Sequence, residues 1–183
     1  TEDVYERADG VTTLLSTSAS AGVFEGIARA LGQSADGTRV VFETNESLKA
    51  NPNGDNDSAT DLYLRANGVT TLVSTSPLDD GSVTSYSFVG ISPDGSKIYF
   101  YTGQKLDADD NDGGDADLYA WNNGSVDWLS PPPGSVPSDS VSSPVMSADG
   151  STVFFATTEK LDATDTDSSV DIYKTSDAGP ILV

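Results

Sequence analysis

Nine aspartates stand in three groups at one repeated spacing. Asp55, Asp57 and Asp61 form a D-x-D-x-x-x-D pattern, and Asp165, Asp167 and Asp171 repeat it. Between them, Asp110, Asp112 and Asp117 fill the equivalent places around one extra residue, with Asp115 as an alternative member. With Asp107, Asp109, Asp115 and Asp162, thirteen of the chain's 29 acidic residues lie in these three segments. Carboxylates packed so tightly repel one another and raise each other's pKa values. A hard divalent cation removes that cost. Calcium takes about 6–8 oxygen ligands at about 2.3–2.6 Å, and alternate residues of a curved loop can supply several of them. Asn51 and Asn53 add side-chain oxygens to the first group, and Ser58, Gly113, Gly114 and Ser168 are small enough for the loops to curl. Backbone carbonyls and water would complete each shell. Magnesium fits less well because it keeps more of its water. The pattern is not an EF-hand, which needs a glutamate eleven residues after the first aspartate. Ala66, Trp121 and Ser176 stand there. The sequence therefore predicts Ca2+ in the acidic loops, one ion per loop and up to three in all.

Composition narrows the alternatives. The 183 residues contain no Cys and no His, which excludes disulfides, Cys/His zinc sites and Ser-His-Asp or Cys-His catalysis. A net charge of −20 repels phosphate, so no nucleic acid partner is expected. No apolar run reaches the roughly 20 residues of a membrane helix, so no membrane insertion is expected either. The opening Thr1-Glu2-Asp3 reads as neither a signal nor a transit peptide, and a trimmed boundary is expected there. Paired aspartates can act as glycosidase acid and base. Here, however, they recur in equivalent loops, whereas a catalytic pair is normally unique, so the chain reads as non-enzymatic.

The elements that must hold these loops repeat with them. Asp61-Leu62-Tyr63 recurs as Asp117-Leu118-Tyr119 and Asp171-Ile172-Tyr173, at intervals of 56 and 54 residues, with Asp3-Val4-Tyr5 as a truncated echo. In phase with these come Asp36-Gly37, Asp94-Gly95 and Asp149-Gly150, each followed by a β-rich run at 39–44, 97–102 and 152–157. Leu48, Leu106 and Leu161 follow the runs. Each unit reads as four short strands. The first, such as 88–92, enters the Asp-Gly pair, whose two residues are expected to supply the positive φ angles of a tight hairpin. The second is the β-rich run, and the acidic loop follows it. The third begins at the Asp-hydrophobic-Tyr triplet. A second hairpin, marked by Asn67-Gly68, Asn123-Gly124 and Asp9-Gly10, leads to the fourth strand at 69–74, 126–130 and 11–16, clipped to 180–183 in the last copy. The stretch from Phe24 to Leu31 is the one helical candidate, and its Gly26 and its phase favour a first strand.

A repeat of four antiparallel strands over roughly 40–60 residues is a β-propeller blade. The expected fold is all-β, with about three and a half blades. Residues 1–16 form the outer half of a truncated blade, 17–74 blade 1, 75–130 blade 2 and 131–183 blade 3. Such a stack leaves open faces, so the chain is expected to be part of a longer propeller, with homo-oligomeric packing over the open blade faces as the alternative.

The motif S-x-D-G-x-x-V-x-F-x-T, then Leu, then D-x-D/N-x-x-x-D-hydrophobic-aromatic, then G-x-T-x-x-V-S resembles the bacterial TolB-like or WD40-like (PD40) propeller repeats. Ser34 to Thr44, Leu48, Asp55 to Tyr63 and Gly68 to Ser74 carry it most fully. The resemblance implies an extracellular, periplasmic or cell-surface scaffold with a protein or cell-surface partner. A fragment of a propeller-containing hydrolase and a carbohydrate-binding propeller using Trp121 and Trp128 are the alternatives. Against the first, no G-x-S-x-G elbow is present. Against the second, both tryptophans lie in one blade.

Overall fold

In the computed structural model, residues 2–16, 26–48, 55, 59–75, 86–111, 114–131 and 140–183 are described. Fourteen strands and no helix occur among them: β1 Tyr5–Ala8, β2 Val11–Leu14, β3 Ala28–Gln33, β4 Arg39–Thr44, β5 Asp61–Ala66, β6 Val69–Leu72, β7 Tyr86–Ile91, β8 Lys97–Thr102, β9 Asp117–Asn122, β10 Ser125–Trp128, β11 Ser142–Met146, β12 Val153–Thr157, β13 Asp171–Lys174 and β14 Ile181–Leu182. They form one two-stranded sheet, β1–β2, and three four-stranded sheets, β3–β6, β7–β10 and β11–β14, each antiparallel in sequence order. These are three blades and the outer pair of a fourth. The part of the 24–31 segment that is described enters a strand, β3.

Two kinds of hairpin join the strands, and their backbones differ. At Asp9-Gly10, Asn67-Gly68 and Asn123-Gly124 both residues have positive φ, as a two-residue type I′ turn requires. At Asp36-Gly37, Asp94-Gly95 and Asp149-Gly150 only the glycine is left-handed, with φ of +71°, +70° and +69°. This corrects the expectation that both residues of the Asp-Gly pair are so. The aspartate works instead through its side chain. Asp36 Oδ1 accepts from Ser34 Oγ at 2.7 Å, Thr38 N at 3.0 Å and Thr38 Oγ1 at 2.8 Å, and Asp94 and Asp149 repeat the arrangement. Those hydrogen bonds hold all three carboxyls at a pKa of about 2, below the ordinary 3.8.

Period-two alternation gives each blade two faces. One carries a stacked Phe–Tyr pair: Phe42 on Tyr63, Phe100 on Tyr119 and Phe155 on Tyr173, with ring centroids 5.6 to 6.0 Å apart. The opposite face carries Val41 and Leu62 in the first whole blade, and Tyr99 and Leu118 in the second. Val41, Leu62, Leu64 and Val73 pack with Phe100, Tyr119 and Trp121 of the next blade. Tyr99, Leu118 and Ala120 pack with Phe155 and Tyr173 of the third. Val4 and Leu15 of the half-blade pack with Phe42 and Tyr63 of the first. Each blade thus presents its Phe–Tyr face to the blade before it and its aliphatic face to the blade after it.

The first strands of neighbouring blades come closest. β3, β7 and β11 each carry a bulge. At two of them a glycine admits the next blade: a Cβ on Gly32 would lie 2.7 Å from the Phe88 ring, and one on Gly90 would lie 2.6 Å from Met146 Cε.

Candidate metal centre

The acidic loop begins where the second strand ends, and one device is common to its three copies. Thr44, Thr102 and Thr157 each accept, through Oγ1, the backbone N–H two residues on, at 3.1 Å. That side-chain turn starts the loop in the same direction each time. Leu48, Leu106 and Leu161 then insert into the inter-blade cores.

The first aspartate of each group is fixed by the tyrosine of the third strand. Tyr63 Oη donates to Asp55 Oδ2 at 2.6 Å, Tyr119 Oη to Asp110 Oδ2 at 2.7 Å, and Tyr173 Oη to Asp165 Oδ2 at 2.5 Å. The tyrosines are fully buried, and Asp55, Asp110 and Asp165 are 8%, 4% and 9% exposed. Burial first, then the bond to the aspartate, pushes each tyrosine hydroxyl well above its ordinary pKa, so the phenol stays a proton donor at every working pH.

The last aspartate of the group opens the third strand, and in two blades it is fixed by a serine. Ser74 Oγ donates to Asp61 Oδ1 at 2.7 Å, and Ser130 Oγ to Asp117 Oδ1 at 2.6 Å. The same serine oxygens accept the N–H of Leu62 and Leu118. Trp128 Nε1 also donates to Asp117 Oδ1, at 2.7 Å. The half-blade repeats the clasp between Ser16 and Asp3, at 3.3 Å. Asp171, in the third blade, has no such serine among the described residues. Burial first, and then the charges of Asp165 and Asp167, raise its pKa.

Only in the third loop are all three predicted ligands described, and there they converge. Asp165, Asp167 and Asp171 each offer a carboxylate oxygen within 4.8 Å of the other two. Two oxygens held by one calcium ion are at most about 5 Å apart, twice the bond length, so the group matches the span of a single hard cation. Asp165 Oδ1 accepts from Asp167 N at 3.2 Å, and an Oδ1 bond from Ser169 N at 2.7 Å orients Asp167 and lowers its pKa. Carboxylate oxygens have lone pairs to spare beyond these bonds. Asp57 of the first loop and Asp112 of the second lie outside the described residues, as do Asn51 and Asn53. Asp55, Asp61, Asp110 and Asp117 hold their places through tyrosine and serine. Asp115 instead accepts from Ser140 Oγ at 3.1 Å, a link to the third blade.

Neither tryptophan forms an open platform. Trp121 is 5% exposed and belongs to the core between the first two whole blades, and Trp128 is half-buried with its indole N–H on Asp117.

No protein-family model matches the chain, and no curated protein does. Among solved structures the chain is similar to TolB from Acinetobacter baumannii, at 16% sequence identity and a TM-score of 0.47. The alignment covers 98% of this chain and 36% of that one, so the chain spans about a third of that protein's length. The blades themselves, with their alternating faces, carry the fold.

Tyr63, Tyr119, Tyr173, Ser74 and Ser130 were not singled out as site residues from the sequence. Their signal was nonetheless present. The serine stands 13 residues after the aspartate in the half-blade and in both complete copies, and the tyrosine two residues after it in all four.

Proposed function

We propose that the chain is a non-catalytic β-propeller module that binds calcium in its acidic loops and serves as a protein-interaction scaffold outside the cytoplasm. The convergence of Asp165, Asp167 and Asp171 within 4.8 Å carries this reading. Beyond the charge of Lys160 acting on Asp167, the three carboxylates gain from a divalent ion what they lose to mutual repulsion. Calcium is favoured over magnesium because oxygen ligands on an irregular loop suit its flexible shell. A shallow site with few protein ligands binds weakly, and calcium modules of that kind work at roughly millimolar concentrations, which extracellular fluid supplies. The cation's role is then structural. It ties the loop to the start of the third strand and so stiffens the edge that a partner meets. The absence of His and Cys, and the equivalence of the loops from blade to blade, support a binding rather than a catalytic role.

Calorimetric titration with calcium tests this reading. The intact chain binds at least one ion, and Asp167→Ala removes one site while the strand signal in circular dichroism is unchanged. Equal stoichiometry in the two proteins would refute the assignment of the third loop.

A further inference from the structure

The seam between the first and second whole blades and the seam between the second and third are built alike but filled differently. On the face that each blade turns to the next, Arg39, Ala66 and Thr71 of the first whole blade correspond to Lys97, Asn122 and Asp127 of the second. The first seam is closed. Arg39 Nη1 donates to Gly95 O of the next blade at 3.1 Å, and Trp121, 5% exposed, sits in the core with Val41, Leu64 and Val73. At the second seam Tyr99 stands in the place of Val41 and makes the bond to the next turn instead, its Oη donating to Gly150 O at 3.0 Å. Lys97 Nζ is thereby left without a partner among the described residues. Thr175 follows Asp171 by four residues, as Trp121 follows Asp117, so a short side chain stands where the closed seam has an indole. Thr175 Oγ1 accepts from Val153 N at 3.0 Å, within its own sheet.

The result is a groove of about 510 Å³ between the second and third whole blades. Pockets that hold small molecules run from about 300 to 1,000 Å³. Its floor is one face of β8, β9 and β10. Lys97 pairs with Asn122, and Ala120 with Asp127, so the three polar side chains stand at neighbouring positions beside Ala120 and Leu129. The opposite wall is the hairpin 175–179, which places Asp177 on the rim. The Asn122 amide and the carboxylates of Asp127 and Asp177 have no partner among the described residues. The groove therefore offers a donor-only ammonium, two acceptor-only carboxylates and an amide that does both. A ligand of one charge would match one sign here and be repelled by the other. A hydroxyl is donor and acceptor at once and can meet each of these groups. A ring that carries several hydroxyls at its edge and C–H groups on its face matches the polar row and the apolar floor together.

We propose that this groove binds a neutral saccharide of one or two rings, with Lys97, Asn122 and Asp127 bonding its hydroxyls from the floor and Asp177 from the rim. The recognition needs no tryptophan platform, since the aliphatic floor takes the C–H face. Acidic sugars are disfavoured by the two carboxylates and by the chain's charge of −20. The groove lies at the start of β8 and the end of β9, whereas the acidic loop joins the opposite ends of the same two strands. The inference thus goes beyond the scaffold reading and does not depend on its cation.

Titration of the intact, isotope-labelled chain with glucose, galactose, mannose, N-acetylglucosamine, maltose and cellobiose, followed by NMR and calorimetry, tests the proposal. The expected result is that at least one of them saturates at millimolar concentration, with its shift changes centred on Lys97, Asn122, Asp127 and 175–179. Asn122→Ala and Asp127→Ala each weaken that binding tenfold or more, and Thr71→Ala, at the closed seam, leaves it unchanged. Thr175→Trp, which installs the residue of the closed seam, abolishes it. Where Thr175→Trp fails to fold, the alanine variants decide, because Asn122 is half-buried and Asp127 exposed. No binding by any of the six sugars overturns the proposal. So does binding that Asn122→Ala and Asp127→Ala both leave undiminished, or a groove that takes free glycine or lysine in place of every sugar. The titrations are run in EDTA and again in calcium, so that sugar binding in EDTA stands even where the calcium titration fails, and the two readings can fall separately.

Discussion

The hydroxyl of Tyr173 donates to Asp165 Oδ2 at 2.5 Å, and the same bond joins Tyr63 to Asp55 and Tyr119 to Asp110. A tyrosine of the third strand thereby fixes the first acidic residue of the preceding loop, and the ring beneath it stacks on the phenylalanine of the second strand. Core and loop are one construction. Tyr119→Phe should leave that stack in place and remove the hydroxyl's bond to Asp110. Removing one partner of a buried bond to a charged group costs about 1–3 kcal/mol. Urea denaturation should report a loss of that size with an unchanged slope, and a loss below about 0.5 kcal/mol would show that the hydroxyl is dispensable.

The serine clasp gives a second expectation. Ser130 Oγ donates to Asp117 and accepts from Leu118 N, with Ser130 fully buried. Ser130→Ala removes these two bonds and the one its oxygen accepts from Trp128 Nε1 without changing the strand, and should destabilise by about 1–3 kcal/mol. Ser125→Ala serves as the control, because Ser125 is exposed at the hairpin. Equal midpoints in denaturant for the two variants would contradict the role given to Ser130.

How much of this was legible in the sequence differs from residue to residue. The second strands could be read to the residue at 39–44 and 97–102, because β-branched and aromatic residues dominate the run from an Asp-Gly turn to a threonine that begins the next loop. The fourth strands end earlier than the pattern suggests, at Leu14, Leu72 and Trp128. After them, Leu15, Val73 and Leu129 still bond the third strand through backbone, while the serine that follows turns its hydroxyl to the aspartate. A serine at a strand end reads as a solvent-facing residue, and only its fixed distance from an aspartate in another strand reveals the clasp. The acidic spacing was plain, but spacing alone does not tell a ligand from a residue already engaged by the protein. Asp61 and Asp117 are so engaged, whereas Asp171 joins Asp165 and Asp167. The backbone of the Asp-Gly turns was misread because Asp-Gly suits both a two-residue type I′ turn and a longer turn in which aspartate is an acceptor. The serine two residues before it decides for the second.

Those turns predict a difference between two similar substitutions. Gly37 and Gly150 have nearly the same positive φ, so alanine at either is strained, at about 1 kcal/mol. Nothing lies within 4 Å of a Cβ at Gly37, but one at Gly150 would sit 2.6 Å from Ser92 Cα, in the backbone of the neighbouring blade. Gly150→Ala should therefore lower the thermal midpoint several degrees further than Gly37→Ala. Equal effects would mean that the turn does not abut the adjacent blade.

Acid should dissolve the same turns. Asp36, Asp94 and Asp149 have folded pKa values of about 2 against an ordinary 3.8. A carboxyl whose pKa is lowered by folding contributes stability above its unfolded value, and that contribution is lost as pH falls through the folded one. Stability should thus decline between about pH 4 and pH 2, less steeply in Asp94→Asn. Asp171 acts in the opposite sense, since its raised pKa favours the protonated folded state. A denaturation series from pH 6 to pH 2 separates the two, and a flat profile for the intact chain would contradict the assignment.

The central claim is that a divalent cation sits among Asp165, Asp167 and Asp171, and thermal unfolding in EDTA against millimolar calcium tests it most directly. A ligand that binds the folded chain alone stabilises it by about 2.7 kcal/mol at a hundred times its dissociation constant. The account predicts a midpoint that climbs with calcium concentration, climbs less with magnesium, and loses that part of its climb in Asp167→Ala. Coincident melting curves in EDTA and calcium would contradict it.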